Sequence, residues 1–260
     1  MNISLKRSHK SFNIFNINVG QISDNRTTQI IEELINIDCP SYVCLLNVHL
    51  AVSALRNRQL YEALSHSDYN FPDGMPIVWY AKKLLRMDHV QRVSGIALME
   101  KCFEDLKHYK HFLFGSTEEI NNRVKYKAKR LYSGINIVGN YSPPFKPIPI
   151  DNENKQQIIS FINELSPDII WVALGAPKQE IFMKEIREKL DHGVMIGVGA
   201  AFNYFACDIK RPPLPLRRLG LEWLGRLYKE PRRLFKRYLV TNTLFIIYLI
   251  KEIINKKVYR

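Results

Sequence analysis

Three apolar runs in the second half of the chain each reach a glycine and pass straight into helix-forming sequence: residues 111–115 (HFLFG), 169–175 (IIWVALG) and 194–199 (VMIGVG). Each reads as a buried strand whose C-terminal end turns into a helix. The stretches 117–132, 154–165 and 178–190 are helix-forming and spaced as crossovers for a parallel sheet. This alternation predicts an α/β fold with a Rossmann-like, mainly parallel sheet flanked by helices. Earlier in the chain it predicts a strand over 42–48, a helix through 50–64, a turn-rich loop over 69–76 (YNFPDGMP) and a helix over 77–85. With 260 residues, 46% of them hydrophobic, the chain can bury a sizeable core. A disordered or fibrous chain is excluded.

The segment 141–149 (YSPPFKPIP) can be neither helix nor central strand and reads as a loop within one domain. The sharper break is 210–215 (KRPPLP), which places a core over 1–209 and a basic amphipathic helical appendage over 210–260. Residues 208–260 hold 14 Lys/Arg against 4 Asp/Glu, so +10 of the chain's net +13 lies there. Such a tail meets something anionic: nucleic acid, a phospholipid surface or a phosphorylated substrate. Leu216, Leu219, Trp223 and Leu227 make one helical stripe, and Arg226, Lys229, Arg233 and Arg237 recur on another face. The apolar run 238–250 is interrupted by Thr241, Asn242 and Thr243 and falls short of the roughly 20 residues a spanning helix needs. It suits either a bilayer interface or packing on the chain's own core or a sister subunit. No secretory leader is expected from the basic, polar first residues. Cys39, Cys44, Cys102 and Cys207 form no regular framework, which fits a reducing cytosol better than disulfides or zinc.

In an open parallel sheet, ligands collect beyond the carboxyl ends of the strands, where helix N-termini offer unpaired N–H groups to phosphates. Gly115, Gly175, Gly197 and Gly199 are expected there. The run from Gly197 to Phe202 (GVGAAF) lacks the third glycine of a dinucleotide fingerprint, and by itself it favours close strand-to-helix packing. In the run from Gly175 to Glu180 (GAPKQE), Pro177 fits a first helical position, while Lys178 and Gln179 stand in a turn that usually prefers acids; both an anionic ligand and a solvated helix start explain that. Asp73, in Pro72-Asp73-Gly74, is by spacing alone a turn or cap residue, with a general base as the functional alternative. His49 competes for the base role. No Asp-x-Asp follows an apolar strand, and 151–153 (DNE) follows a Pro-rich loop, so no metal is expected and a diphosphate would be met by Lys, Arg and helix N-termini.

Five blocks occur in order: 72–79 (PDGMPIVW), 92–95 (RVSG), 175–180 (GAPKQE), 197–202 (GVGAAF), and 218–224 (RLGLEWL) through 230–233 (EPRR). Together, over about residues 20 to 240, they closely resemble the WecG/TagA/CpsF glycosyltransferases (glycosyltransferase family 26). The resemblance implies an inverting, metal-independent transferase without a cofactor. Its donor would be a UDP-sugar carrying N-acetylmannosamine, its uronic acid or a hexose, and its acceptor an undecaprenyl-diphosphate-linked sugar in cell-surface polysaccharide synthesis. It makes Asp73 the leading general base, puts Asn47 and Arg92 in the donor and acceptor cleft, and brings Gln179 to the donor sugar or diphosphate. Gly197, Gly199 and Asn203 would border the uridine, and Arg226, Arg233 and Arg237 would close over the diphosphate. The place of work would be the cytoplasmic face of the cell membrane, with an anionic membrane surface meeting the tail and homo-oligomers left open. Two positions depart from the family: Leu45 stands where Thr is common and Asn203 where Asp is common. A nucleic-acid-binding protein using Trp223, Tyr228 and Phe235, and a non-catalytic family member, are the alternative readings.

Overall fold

Six parallel strands carry the architecture: β3 (Ser41–Leu46), β4 (Tyr69–Pro72), β5 (Lys110–Gly115), β6 (Asn136–Tyr141), β7 (Ile169–Ala173) and β8 (Val194–Gly197). Across the sheet they run β4-β3-β8-β7-β5-β6, every adjacent pair parallel. An antiparallel hairpin, β1 (Ser11–Ile14) and β2 (Ile17–Gly20), precedes them. The computed structural model describes residues 10–23, 26–37, 39–143, 152–207 and 231–258, and of 152, 231–234, 236–238 and 255–258 the backbone alone.

Because side chains alternate along a strand, the sheet makes two cores. Tyr42, Cys44 and Leu46 of β3 enter one, with Phe114 and Val172; Val43 and Leu45 enter the other, with Leu113 and Trp171. The second core is covered by α1 (Thr27–Ile35), α5 (Gly95–Asp105), α6 (Glu118–Leu131) and α9 (Ala201–Ala206). The first is covered by α2 (Val48–Ala54), α3 (Arg58–His66), α4 (Met75–Trp79), α7 (Asn152–Leu165), α8 (Lys178–Ile186), the hairpin and α10 (Pro231–Val258). Coverage of both faces explains why β3 and β8 are buried at every position and read as unbroken apolar runs.

Several local expectations are corrected. The helix expected through 50–64 is two helices, because Asn57 takes Leu60 N–H on its Oδ1 at 3.0 Å and starts α3 anew. The strand expected over 42–48 stops at Leu46, because Asn47 caps α2 in the same way. The first part of the supposed loop 69–76 is strand β4, where Tyr69 and Phe71 pack together at 4.7 Å between ring centroids. Pro72 is tolerated because it ends an edge strand. The helix expected over 77–85 begins at Met75 and widens into a π-helical turn over Tyr80–Leu84. Pro177 stands just before α8 rather than inside it, joined to Ala176 by a cis peptide bond. The hairpin and β6 were not anticipated.

The two ends of the sheet differ in kind. At the amino end, charged groups are matched to each other and to backbone: Arg187 bonds Asp68 at 2.8 Å and Pro40 O at 2.9 Å, while Asp68 accepts Tyr42 N–H. Asp168 accepts Lys110 N–H at 2.7 Å and pairs with His192. These contacts hold strands in place. The carboxyl end carries the candidate site.

α10 lies on the body. Phe245 is 3% exposed and meets Phe15 of the hairpin turn edge-on at 5.6 Å; Tyr248 meets the same ring, and Glu252 accepts Phe15 N–H. Its opposite side leaves Phe235, Leu239, Ile246, Ile250 and Ile254 exposed. Of the two settings that the sequence left open for 238–250, packing on the chain's own core is thus seen along one side of the helix. The expected boundary at 209/210 falls outside the described residues. No helix among the described residues is long and apolar enough to cross a membrane.

Candidate active site

Asp73 follows the last residue of β4, and its N–H donates to Leu46 O at 2.8 Å, which ties the exit of the edge strand to the end of β3. The next residue along β3 is Asn47. Its Oδ1 accepts Leu50 N–H at 3.1 Å as the cap of α2, so its Nδ2 remains as the donor at this edge. Arg92 arrives from elsewhere in the chain: Gln91 N–H bonds Ile22 O at 2.9 Å and Val93 N–H bonds Pro72 O at 2.8 Å, laying this segment beside the end of β4. Asn47, Asp73 and Arg92 are all half-buried. Ser94 then caps α5, whose first residue Gly95 lies so near β8 that a Cβ there would stand 3.2 Å from Val198 O.

The other half of the edge is built around Gln179, which is 5% exposed. Its Oε1 accepts Gly175 N–H at 3.2 Å while its own backbone N–H returns to Gly175 O at 3.1 Å, a reciprocal pair that fixes the turn after β7. Its amide also fills the space beside the turn after β8: a Cβ at Gly197 would sit 2.9 Å from Gln179 Nε2, and one at Gly199 3.3 Å from Oε1. Gly199 has φ +53, a left-handed conformation that glycine adopts without strain. Val198 and Gly199 N–H both donate to Val172 O, at 2.9 and 3.2 Å, pinching the exit of β8 onto β7.

The register sets the span. With Leu46 opposite Pro72 and Val43 opposite Ile196, the Gly197 and Asp73 turns leave strands on either side of β3. Across the sheet β4 and β8 stand two strand spacings apart, about 10 Å, and β7 is one spacing further. Asn203 is exposed on the first turn of α9. Arg226 lies outside the described residues; Arg233 and Arg237 are described only as backbone of α10.

Burial decides which ionisable groups here are ordinary. Glu180 is fully buried on α8, and desolvation pushes its carboxyl up to about 7 despite a hydrogen bond from Gln179 Nε2 at 2.9 Å. Cys44 beneath it is buried, with its thiol pushed well up, so it stays protonated and unreactive. His111 is pushed down to about 4 by burial; Nε2–H donates to Leu106 O and Nδ1 accepts from Trp171, a neutral structural imidazole. His49 lies on the first turn of α2 with Nδ1 3.5 Å from Ser53 Oγ. All four cysteines are free. Among the described residues no three His, Cys, Asp or Glu side chains are grouped to hold a metal ion.

Residues bearing a carboxylate, two amides and a guanidinium, and the glycine turns, thus stand along one edge of a parallel sheet. The family model for glycosyl transferases of the WecG/TagA/CpsF family matches residues 12–259, nearly the whole chain. The chain belongs to the WecG/TagA/CpsF glycosyltransferase family. It is therefore a glycosyltransferase of the type that works in cell-surface polysaccharide synthesis.

For a WecG/TagA/CpsF glycosyltransferase, the sequence expectations map onto this edge unevenly. Asn47, Asp73 and Arg92 stand at the ends of β3 and β4 and in the loop before α5, and Gln179, Gly197 and Gly199 are packed together at the ends of β7 and β8, two groups on the same edge of the sheet. Leu45 is 5% exposed and packs under Gly95, in the core rather than in the cleft. Two participants were missed. Gly95 is legible only as part of the 92–95 block, because its close approach to Val198 is a tertiary fact. Glu180 reads in sequence as an ordinary acid in a first helical turn, and only burial sets it apart.

Proposed function

We propose that this protein is an inverting glycosyltransferase that moves a sugar from a UDP-sugar to a lipid-diphosphate-linked acceptor without a metal ion. Asp73 takes the proton of the acceptor hydroxyl as its oxygen attacks the anomeric carbon. The bond from that carbon to the diphosphate oxygen breaks on the opposite side, and UDP departs with the electron pair. Asn47 and Arg92 orient the reactants beside Asp73, and Gln179 with the Gly175 and Gly197–Gly199 turns receives the nucleotide half. Asn203 borders the uridine. With no Asp-x-Asp pair in the sequence, charge on the leaving diphosphate is met by peptide N–H groups and by Arg226, Arg233 and Arg237.

The observation that carries this reading is the place of Asp73: a half-buried residue pinned through its own N–H to the end of β3, on the strand two places from β8 and three from β7, which lead into the glycine turns. The exposed apolar side of α10, with the basic charge of the tail, fits a protein that works on a lipid-linked acceptor at an anionic membrane surface.

The test incubates purified protein with a panel of UDP-sugars and short lipid-diphosphate acceptors and reads products by mass. Transfer is expected with at least one donor, and Asp73→Asn should lower turnover by about 100- to 10,000-fold at saturating substrates. Wild-type turnover in Asp73→Asn would remove Asp73 from the mechanism.

A further inference from the structure

The most costly group at the carboxyl edge is one to which the mechanism above gives no part. Glu180 is fully buried, and its Oε2 has no hydrogen-bond partner among the described residues. An unmatched buried carboxyl oxygen destabilises a fold, and an apolar side chain would pack the same space at less cost. What the carboxyl does provide is an acceptor for one neighbour, Gln179 Nε2, at 2.9 Å.

That contact and the Gly175 N–H together decide which way the Gln179 amide faces. A primary amide has a donor end and an acceptor end of nearly the same shape, and Glu180 Oε1 accepts whether the carboxyl is ionised or carries its proton on Oε2. With Nε2 held on Glu180, Oε1 must face Gly175 N–H, and the reciprocal pair that fixes the β7 turn closes. Turned over, the amide would oppose its NH2 to Gly175 N–H, donor against donor, and would change the atoms that lie against Gly197 and Gly199.

We propose that Glu180 is a positioning residue: by accepting from Gln179 Nε2 it sets the orientation of the amide that braces the Gly175 turn and the Gly197–Gly199 turn, and so holds the donor side of the cleft in one arrangement. That these turns receive a UDP group rests on the transferase reading; the orientation of the amide does not.

Two readouts separate these claims. In the ligand-free protein, Glu180→Leu, which keeps an apolar volume but removes the acceptor, should speed hydrogen exchange at Gly175 N–H by about tenfold while the amides of β7 and β8 keep their protection. Glu180→Gln, which retains an acceptor oxygen, should stay within about threefold of wild type. Affinity for UDP, measured calorimetrically, should follow the same order, weakened about tenfold in Glu180→Leu and nearly restored in Glu180→Gln. Gln179→Leu should loosen Gly175 as much as Glu180→Leu does, and the double variant should add nothing, because both remove one linked contact. If Glu180→Leu does not fold, the comparison of Gln179→Leu with Gln179→Leu/Glu180→Gln carries the test, and equal exchange at Gly175 is expected. Unchanged protection of Gly175 in Glu180→Leu, additive effects, or a Glu180→Gln variant as loose as Glu180→Leu would each overturn the proposal. Loosening at Gly175 in a protein whose wild type ignores UDP would uphold the positioning role and refute the nucleotide assignment.

Discussion

Replacing Glu180 by glutamine should make the protein more stable in alkali than in acid, relative to wild type. Burial raises the Glu180 carboxyl from 4.5 to about 7, so between those values the native state keeps a proton that the unfolded chain releases. The stability associated with the neutral carboxyl is present in full below pH 4.5 and is lost as pH rises through about 7. That interval corresponds to about 3 kcal/mol, at about 1.4 kcal/mol for each tenfold change in proton affinity. Glutamine has no proton to lose and so escapes the loss, although an NH2 placed where Oε2 lies unpartnered carries a cost of about 1–3 kcal/mol at every pH. The elements packed around α8 present few other titrating groups: Cys44 of β3 is held neutral, and Glu62 of α3 and Lys155 of α7 are paired with Lys184 and Glu185. Urea unfolding of both proteins from pH 5 to pH 8.5 isolates the effect, since the other groups cancel in the difference. The free-energy difference, variant minus wild type, should climb by about 2 to 3 kcal/mol across the range and level off above pH 8. A difference that stays constant with pH would show that Glu180 is not held protonated by burial, and the desolvation argument would fail.

Two further outcomes bear on α10. Phe245→Ala, which empties the contact with Phe15, should weaken docking of the helix by about 3–5 kcal/mol, read as proteolysis within 231–258 at least about 100-fold faster while the sheet stays folded; unchanged protease resistance would show that Phe245 does not hold the helix. Ile246→Ser with Ile250→Ser, on the exposed side, should leave the melting temperature unchanged and reduce partitioning onto anionic vesicles by at least about tenfold, with wild-type binding falling as salt rises; vesicle binding by the double variant equal to wild type would remove this face from the membrane contact.

Much of the fold was legible because its information is local or periodic. Runs such as 169–175 and 194–199 are apolar at successive positions, which a strand needs when both its faces are covered, and the helix-length intervals between them leave parallel pairing as the natural connection. The same locality explains the errors. Asn47 and Asn57 are one-residue caps, and the apolar pattern through 50–64 continues across the break between α2 and α3 as if nothing happened. β4 was hidden because Pro72, Asp73 and Gly74 signal a turn, and a short edge strand ending in that turn has too few residues to show a period.

Candidate site residues were found as separate blocks, and their family pattern named the enzyme class that the whole-chain match then confirmed. Sequence alone determined the strand-and-crossover order, the basic tail and the residue types available for chemistry, since each follows from neighbours along the chain. Tertiary structure alone decided that Arg92 lies beside the strand end carrying Asp73, that Gln179 spans two turns and that Glu180 is shut off from solvent. These depend on strand order and on contacts between segments roughly 20 to 100 positions apart in sequence, from Val93 against Pro72 to Gly95 against Val198. No local pattern encodes how such segments are brought together, and a carboxyl's proton affinity depends on what surrounds it in space.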